Sequence, residues 1–201
     1  FVSVGGAGGS STGGSSENAR YIARRELGGF LPNARQLCAE RAAGAEQCWQ
    51  ELILYAAGEA GENAGVWSEG ACALAPQTCA LLNHRDLVGM PRKTGHRGVP
   101  GKASFIRLRA GGRIMAHTGP HDMRLTAHLG LVIPDGATIE VAGERRSWAE
   151  GKVLVLDDSY VHSVDCAACA TDRYILLFHV WHPAVRQLGW EDEKAAPWGG
   201  G

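Results

Sequence analysis

From Ala103 onward, short apolar runs alternate with Gly, Pro and Asp, the texture of strands joined by turns. Runs rich in Ile, Leu and Val predict strands over Ala103–Arg109, Arg113–His117, Arg124–Ile133, Thr138–Val141, Lys152–Leu156, Val161–Val164 and Arg173–Trp181. Pro134-Asp-Gly136 reads as a plain turn between two of them. Many short strands with regular turn signals point to a sandwich or barrel, and no helical pattern intervenes to support a parallel α/β sheet. The fold class that fits is mainly β: a double-stranded β-helix, the jelly-roll or cupin-like barrel, with N-terminal helices.

Upstream the pattern differs. Residues 1–16 are almost wholly Gly, Ser, Ala and Val, which cannot bury enough surface to offset their ordering entropy, so a flexible tail is expected. Glu17 to Ala43 favours helix, with Tyr21, Leu27 and Leu37 as buried positions and Pro32-Asn33 as a helix start; two short helices are expected. Trp49 to Tyr55 suits a strand, after which Gly58, Gly61, Asn63 and Gly65 enforce a loop. No internal repeat is visible. Residues 17–190 are expected to form one domain and 191–201 a C-terminal tail, since 201 residues bury one core of ordinary size.

Composition narrows the partners. Twenty Lys plus Arg against 21 Asp plus Glu leave a formal net charge of -1, so no basic field is available to hold nucleic acid or anionic lipid. A small or peptidic partner is expected instead. No apolar run approaches the roughly 20 residues of a membrane-spanning helix; the longest, Leu125 to Pro134, is interrupted by His128 and Gly130. The chain begins at Phe1 rather than Met, so any upstream signal or anchor is expected to have been removed. The six cysteines, Cys38, Cys48, Cys72, Cys79, Cys166 and Cys169, form an even set that leaves both disulfides and reduced thiols open. Cys166-Ala-Ala-Cys169 has the spacing of half a zinc knuckle, but no second pair at matching spacing accompanies it.

Six of eight histidines, His117, His121, His128, His162, His179 and His182, fall in the strand-rich part. A lone strand His is more often structural than a ligand, so the arrangement decides. Neutral imidazole suits iron, and a barrel brings an early and a late strand end to one mouth. His117 closes an early strand just before Thr118-Gly119-Pro120, and His162 opens a late one just after Asp157-Asp158-Ser159. In the last strand Arg173 shares a face with Ile175, Leu177 and His179. An inward Arg there suits a dicarboxylate that chelates the metal. The other reading pairs it with Asp172 or Asp165 at the surface.

A specific resemblance rests on His117-Thr-Gly-Pro120, Arg124-Leu125, His128-Leu-Gly-Leu-Val-Ile-Pro134, Trp148-Ala-Glu-Gly-Lys-Val153, Asp157-Asp-Ser159, His162 and Val180-Trp-His-Pro183. Together, over about residues 26 to 185, these motifs resemble the catalytic domain of aspartyl/asparaginyl β-hydroxylases. Ala71-Cys72, Ala75-Pro76, Thr78-Cys79 and Leu81-Leu82 are similar to the segment that carries a disulfide in the animal enzymes, and Trp49 falls where they have an active-site Trp. The resemblance implies a non-haem iron(II) and 2-oxoglutarate-dependent dioxygenase using O2. It implies His117 and His162 as iron ligands, His128 and Arg173 as holders of the two cosubstrate carboxylates, and a Cys72–Cys79 bridge. The substrate implied is Asp or Asn in a disulfide-bearing, EGF-like peptide, in the secretory pathway or ER lumen. Most of the wider superfamily adds an Asp or Glu two residues after the first His. Here that residue is Gly119, as in the hydroxylase family itself.

Two positions depart from the family pattern. An Arg is expected two residues before His128, where this chain has Thr126, and a Ser in the preceding strand, where it has Ile106. A charged hydrogen bond lost costs about 1.5–3 kcal/mol, so weaker cosubstrate binding or another cosubstrate is implied. Further readings are a halogenase using the position that Gly119 leaves open, a small-molecule or lipid hydroxylase, and a degenerate barrel that binds without turnover. Trp148 and His182 read as barrel-end packing, and Asp157 and Asp158 as groups that cap the turn and orient His162. His121 and His179 have no family counterpart and remain alternative metal ligands.

Overall fold

In a computed structural model of the chain, residues 22–27, 35–37, 49–57, 65–83 and 101–184 are described. Eleven strands are found among them: β1 (Arg35–Leu37), β2 (Trp49–Ala57), β3 (Gly65–Trp67), β4 (Lys102–Leu108), β5 (Arg113–His117), β6 (Arg124–Val132), β7 (Thr138–Val141), β8 (Glu144–Arg146), β9 (Val153–Leu156), β10 (His162–Asp165) and β11 (Arg173–Trp181). Two short helices, α1 (Glu69–Leu74) and α2 (Pro76–Leu82), lie between β3 and β4. One antiparallel sheet runs β1-β2-β4-β11-β6-β9 with β3 beside β2; the other runs β5-β10-β7-β8. This is the mainly β, cupin-like architecture expected.

Period two along β11 sorts its residues between two cores. Leu176 and Phe178 pack outward with Phe105, Leu129 and Leu131 under α1 and α2. Ile175 and Leu177 face inward with Ile106 and Leu108 against Ile139, Val141 and Val164 of the smaller sheet. Strand β6, covered on both faces, is buried from Arg124 to Leu131. The Pro134 turn closes as expected, with the Ala137 N–H donating to the Pro134 carbonyl at 3.3 Å.

Three expectations upstream need correction or fall outside the described residues. The second N-terminal helix is replaced by β1, whose Arg35, Gln36 and Leu37 lie opposite Glu51, Gln50 and Trp49 of β2. Pairing with an open sheet edge outweighs a weak local helix preference. The first helix is present over residues 22–27, with Leu27 against the core, whereas Tyr21 lies outside the described residues. So do both expected tails and most of the loop after β2; Gly65, assigned to that loop, opens β3.

Both described cysteine pairs are oxidised: Cys72–Cys79 joins α1 to α2, and Cys166–Cys169 staples the turn between β10 and β11. The second bond removes the zinc-knuckle reading, since these sulfurs have no thiolate to offer. Among the described residues, no helix is long and apolar enough to cross a membrane.

Candidate active site

Between the two sheets lies a cavity of about 250 Å³. Every site residue expected from the sequence lines it: Trp49, His117, His128, His162 and Arg173. His121 does not line it, while His179 does.

The strand pairing β5–β10 sets His117 opposite His162. Side chains directly opposite on one sheet face are neighbours, and the two imidazole centroids are 4.2 Å apart. The two rings are tied in the same way: Nδ1 of His117 lies 2.7 Å from the Met115 carbonyl, and Nδ1 of His162 lies 2.9 Å from the Tyr160 carbonyl. A carbonyl oxygen only accepts, so each Nδ1 carries a proton, which in the neutral ring leaves the lone pair on Nε2. Burial lowers the pKa of His162; His117 adds to this, while the Tyr160 carbonyl and Asp158 oppose it. Two neutral imidazoles with Nε2 free and Nδ1 anchored are a donor set suited to a borderline divalent metal. Among the described residues no group of three or more His, Cys, Asp or Glu converges for a metal, which leaves the two imidazoles as the candidate donors.

Gly119 explains why no third carboxylate joins them. A Cβ added to Gly119 would lie 2.6 Å from the Asp158 carboxylate, inside contact distance, so any larger residue requires that carboxylate to shift. Asp158 is buried and pairs with the buried Arg124 at 3.4 Å; its Oδ1 finds no hydrogen-bond partner. It is Asp157, not Asp158, that caps the turn, accepting from the Ser159 backbone and hydroxyl at 3.0 and 2.7 Å. His162 is oriented by Tyr160.

His128 and His179 carry the opposite tautomer. The Trp148 indole N–H donates to His128 Nδ1 at 3.3 Å, and the Lys102 backbone N–H donates to His179 Nδ1 at 3.0 Å. Neither donor can accept, so both rings hold their proton on Nε2. Burial, then the neighbouring Arg173, His162 and Lys102, lower the His128 pKa well below 6.5, and burial with Arg124, Lys102 and His128 lowers that of His179 to about 2. Both therefore remain neutral single donors.

Arg173 is 1% exposed, and its Nε and Nη1 have no hydrogen-bond partner. Its guanidinium carbon stacks 4.5 Å from the Trp148 ring centroid, and burial lowers its pKa to about 9. The surface-pair reading fails because Asp172 accepts from Arg107 at 2.7 Å and Asp165 pairs with Arg113 at 3.4 Å. A planar cation sealed in a cavity without an anion fits a ligand carboxylate. Ile106, opposite Ile175, offers no hydroxyl there.

Two further residues of the site had no functional role in the sequence reading. Trp148, expected as packing, supports both His128 and Arg173 through one ring. Lys102 pairs with buried Glu51 at 2.6 Å, and Glu51 also accepts from Ser104 at 2.7 Å. Period two along β4 could have flagged Lys102, Ser104 and Ile106 as one inward face. His182 does lie at the barrel end, its backbone N–H donating to the Met123 carbonyl at 3.0 Å.

Comparison with known proteins places the chain among relatives by sequence. Human aspartyl/asparaginyl beta-hydroxylase is 40% identical over 138 residues, 68% of this chain and 16% of its own length. Human aspartate beta-hydroxylase domain-containing protein 2 is 36% identical over 125 residues, 61% of this chain and 32% of that protein. The chain thus spans a minor part of either relative. Among solved structures, a predicted oxalate decarboxylase from Thermotoga maritima aligns over 75% of this chain and 93% of its own, with TM-score 0.43 and 13% identity. The family described as Aspartyl/Asparaginyl beta-hydroxylase matches residues 17–183, which include all the cavity-lining side chains, and the chain belongs to that family.

Proposed function

We propose that this chain catalyses iron(II)- and 2-oxoglutarate-dependent hydroxylation of the β-carbon of Asp or Asn in a peptide or EGF-like domain. The observation that carries the reading is Arg173, a buried cation with two unpartnered nitrogens in the cavity that also holds the His117–His162 pair. A buried charge without a counter-ion is costly, and its fork matches a carboxylate bidentately.

When bound, the metal with O2 and 2-oxoglutarate supplies the oxidant that converts C–H to C–OH, leaving succinate and CO2. The chain's residues position and shield. His117 and His162 would hold the metal, and Arg173 would hold the far carboxylate of the cosubstrate. His128 would donate its Nε2–H to the near one. Trp49 closes one wall, while Ile106, Ile139, Leu156, Val164 and Ile175 keep water from the reacting centre. The Asp158 carboxylate packed over Gly119 disfavours a halide beside that residue, which argues against halogenation. Two disulfides among the described residues support an oxidising, secretory compartment.

Anaerobic titration with iron(II) and then 2-oxoglutarate tests the proposal. A weak visible charge-transfer band that saturates with cosubstrate is expected, followed on admitting O2 by succinate and a one-oxygen mass gain on an Asp-bearing peptide. No band and no 2-oxoglutarate binding at millimolar concentration would sink it.

A further inference from the structure

The family Arg two residues before His128 is Thr126 in this chain, and the structure shows what stands there instead. His179 lies directly opposite Thr126 across β11–β6, and both side chains line the cavity. Residues paired in this way have neighbouring Cβ atoms on one sheet face. The Thr126 hydroxyl is buried with no hydrogen-bond partner. The His179 ring is held by the Lys102 N–H on Nδ1, so the proton on Nε2 is its remaining donor. Along the sheet this pair stands two residues past Leu177 and His128, about 7 Å farther from Arg173 at strand rise. His128 and His179 thus form a row of neutral N–H donors, separate from the two imidazoles that present lone pairs.

We propose that His179 Nε2–H and Thr126 Oγ1–H form a neutral cradle for a ligand carboxylate at the end of the cavity away from Arg173. This deepens the hydroxylase reading and rests on it. The carboxylate belongs either to the metal-proximal end of the cosubstrate or to the acidic side chain of the substrate. A neutral cradle binds either through directed hydrogen bonds, with His179 in the role of a ligand-contacting residue.

Two substitutions at His179 separate this role from a structural one. His179→Gln sets an amide N–H near Nε2 but removes the acceptor for the Lys102 N–H. His179→Asn does the reverse, with its carbonyl near Nδ1 and no donor reaching the cavity. Affinities are measured anaerobically on the full chain loaded with iron(II). One arm uses 2-oxoglutarate, followed by its visible band; the other uses an Asp-bearing peptide at saturating cosubstrate, followed by calorimetry.

The Asn variant should weaken one of the two ligands about tenfold or more, and the Gln variant should largely retain it. Weakening in the first arm assigns the carboxylate to the cosubstrate, and in the second to the substrate. Thr126→Val should weaken the same ligand while raising the ligand-free melting temperature, because an unpartnered buried hydroxyl is removed. If the Asn and Val variants bind both ligands as the parent does, the cradle is wrong and the hydroxylase reading stands. The opposite ranking, Gln impaired and Asn intact, also overturns the cradle by making His179 only a partner for Lys102. A parent that binds neither carboxylate overturns both.

Discussion

Replacing Arg173 with Met should stabilise the ligand-free protein and cripple cosubstrate binding, two effects of opposite sign from one atom group. Lowering the guanidinium pKa from 12.5 to about 9 corresponds, at 1.36 kcal/mol per tenfold, to about 5 kcal/mol against the charged form in the folded state. For a cation with a depressed folded pKa that penalty is fully present below about pH 9, and it is relieved as pH rises from 9 towards 12.5. Stacking on Trp148 recovers part of it. A Met side chain retains the apolar stem and the contact with the ring. The net gain on substitution is therefore expected at about 1–4 kcal/mol, the range seen when buried ionic groups give way to apolar ones. At about 2–4 °C per kcal/mol for a chain of this length, the ligand-free melting temperature should rise by several degrees. Losing two charge-assisted hydrogen bonds should weaken 2-oxoglutarate by at least about a hundredfold. Differential scanning calorimetry at neutral pH, with and without 2-oxoglutarate, reads both effects. A variant that melts lower than the parent yet binds cosubstrate equally well would show that Arg173 is a structural cation, and the reasoning would fail.

Four other outcomes are expected. His117→Ala and His162→Ala should each abolish stoichiometric iron(II) binding, since two imidazoles leave no redundancy; equilibrium dialysis showing full occupancy in either variant would reopen the ligand assignment. Replacing Cys72 and Cys79 together with Ser should cost about 2–3 kcal/mol in urea unfolding, the chain-entropy value for a loop closed over a separation of 7 residues. Gly119→Asp should lower stability rather than build a third ligand, because its Cβ meets the Asp158 carboxylate; the loss in melting temperature should be smaller when Asp158→Ala is already present, and equal losses in the two backgrounds would refute the steric argument. At neutral pH a peptide bearing Asp should bind more tightly than its Asn counterpart; equal affinities by calorimetry would refute the charge argument below.

The elements legible in the sequence are those whose signals are local. Strands β5, β7 and β11 fall at the bounds expected because turn residues flank each of them. Strands β1, β3 and β8 are three residues each, and Glu144-Arg145-Arg146 has no apolar alternation to read. Helices α1 and α2 did leave signals, the Ser68 cap accepting from the Ala71 N–H and Pro76 at the first turn, inside a segment noticed only for its cysteines. In the site, the approach of His117 and His162 follows from two strand ends meeting at one mouth. The tautomers of His128 and His179 do not follow from any local pattern. They are set by Trp148, 20 residues away, and by Lys102, 77 residues away, and only the folded register brings those donors to Nδ1.

The charges around the cavity constrain what fills it. Lys102 is paired with Glu51 and Arg124 with Asp158, while burial favours the neutral rings of His162, His128 and His179. Arg173 therefore leaves one positive charge in a wall of Ile, Leu and Val. An iron(II) held by His117 and His162 would raise this to three, and a dianionic cosubstrate would lower it to one. In a low-dielectric cavity that last charge attracts an anion more strongly than a neutral amide. With the proposed metal and cosubstrate in place, the balance would close on a substrate bearing a single negative charge, which would favour the carboxylate of Asp over the amide of Asn.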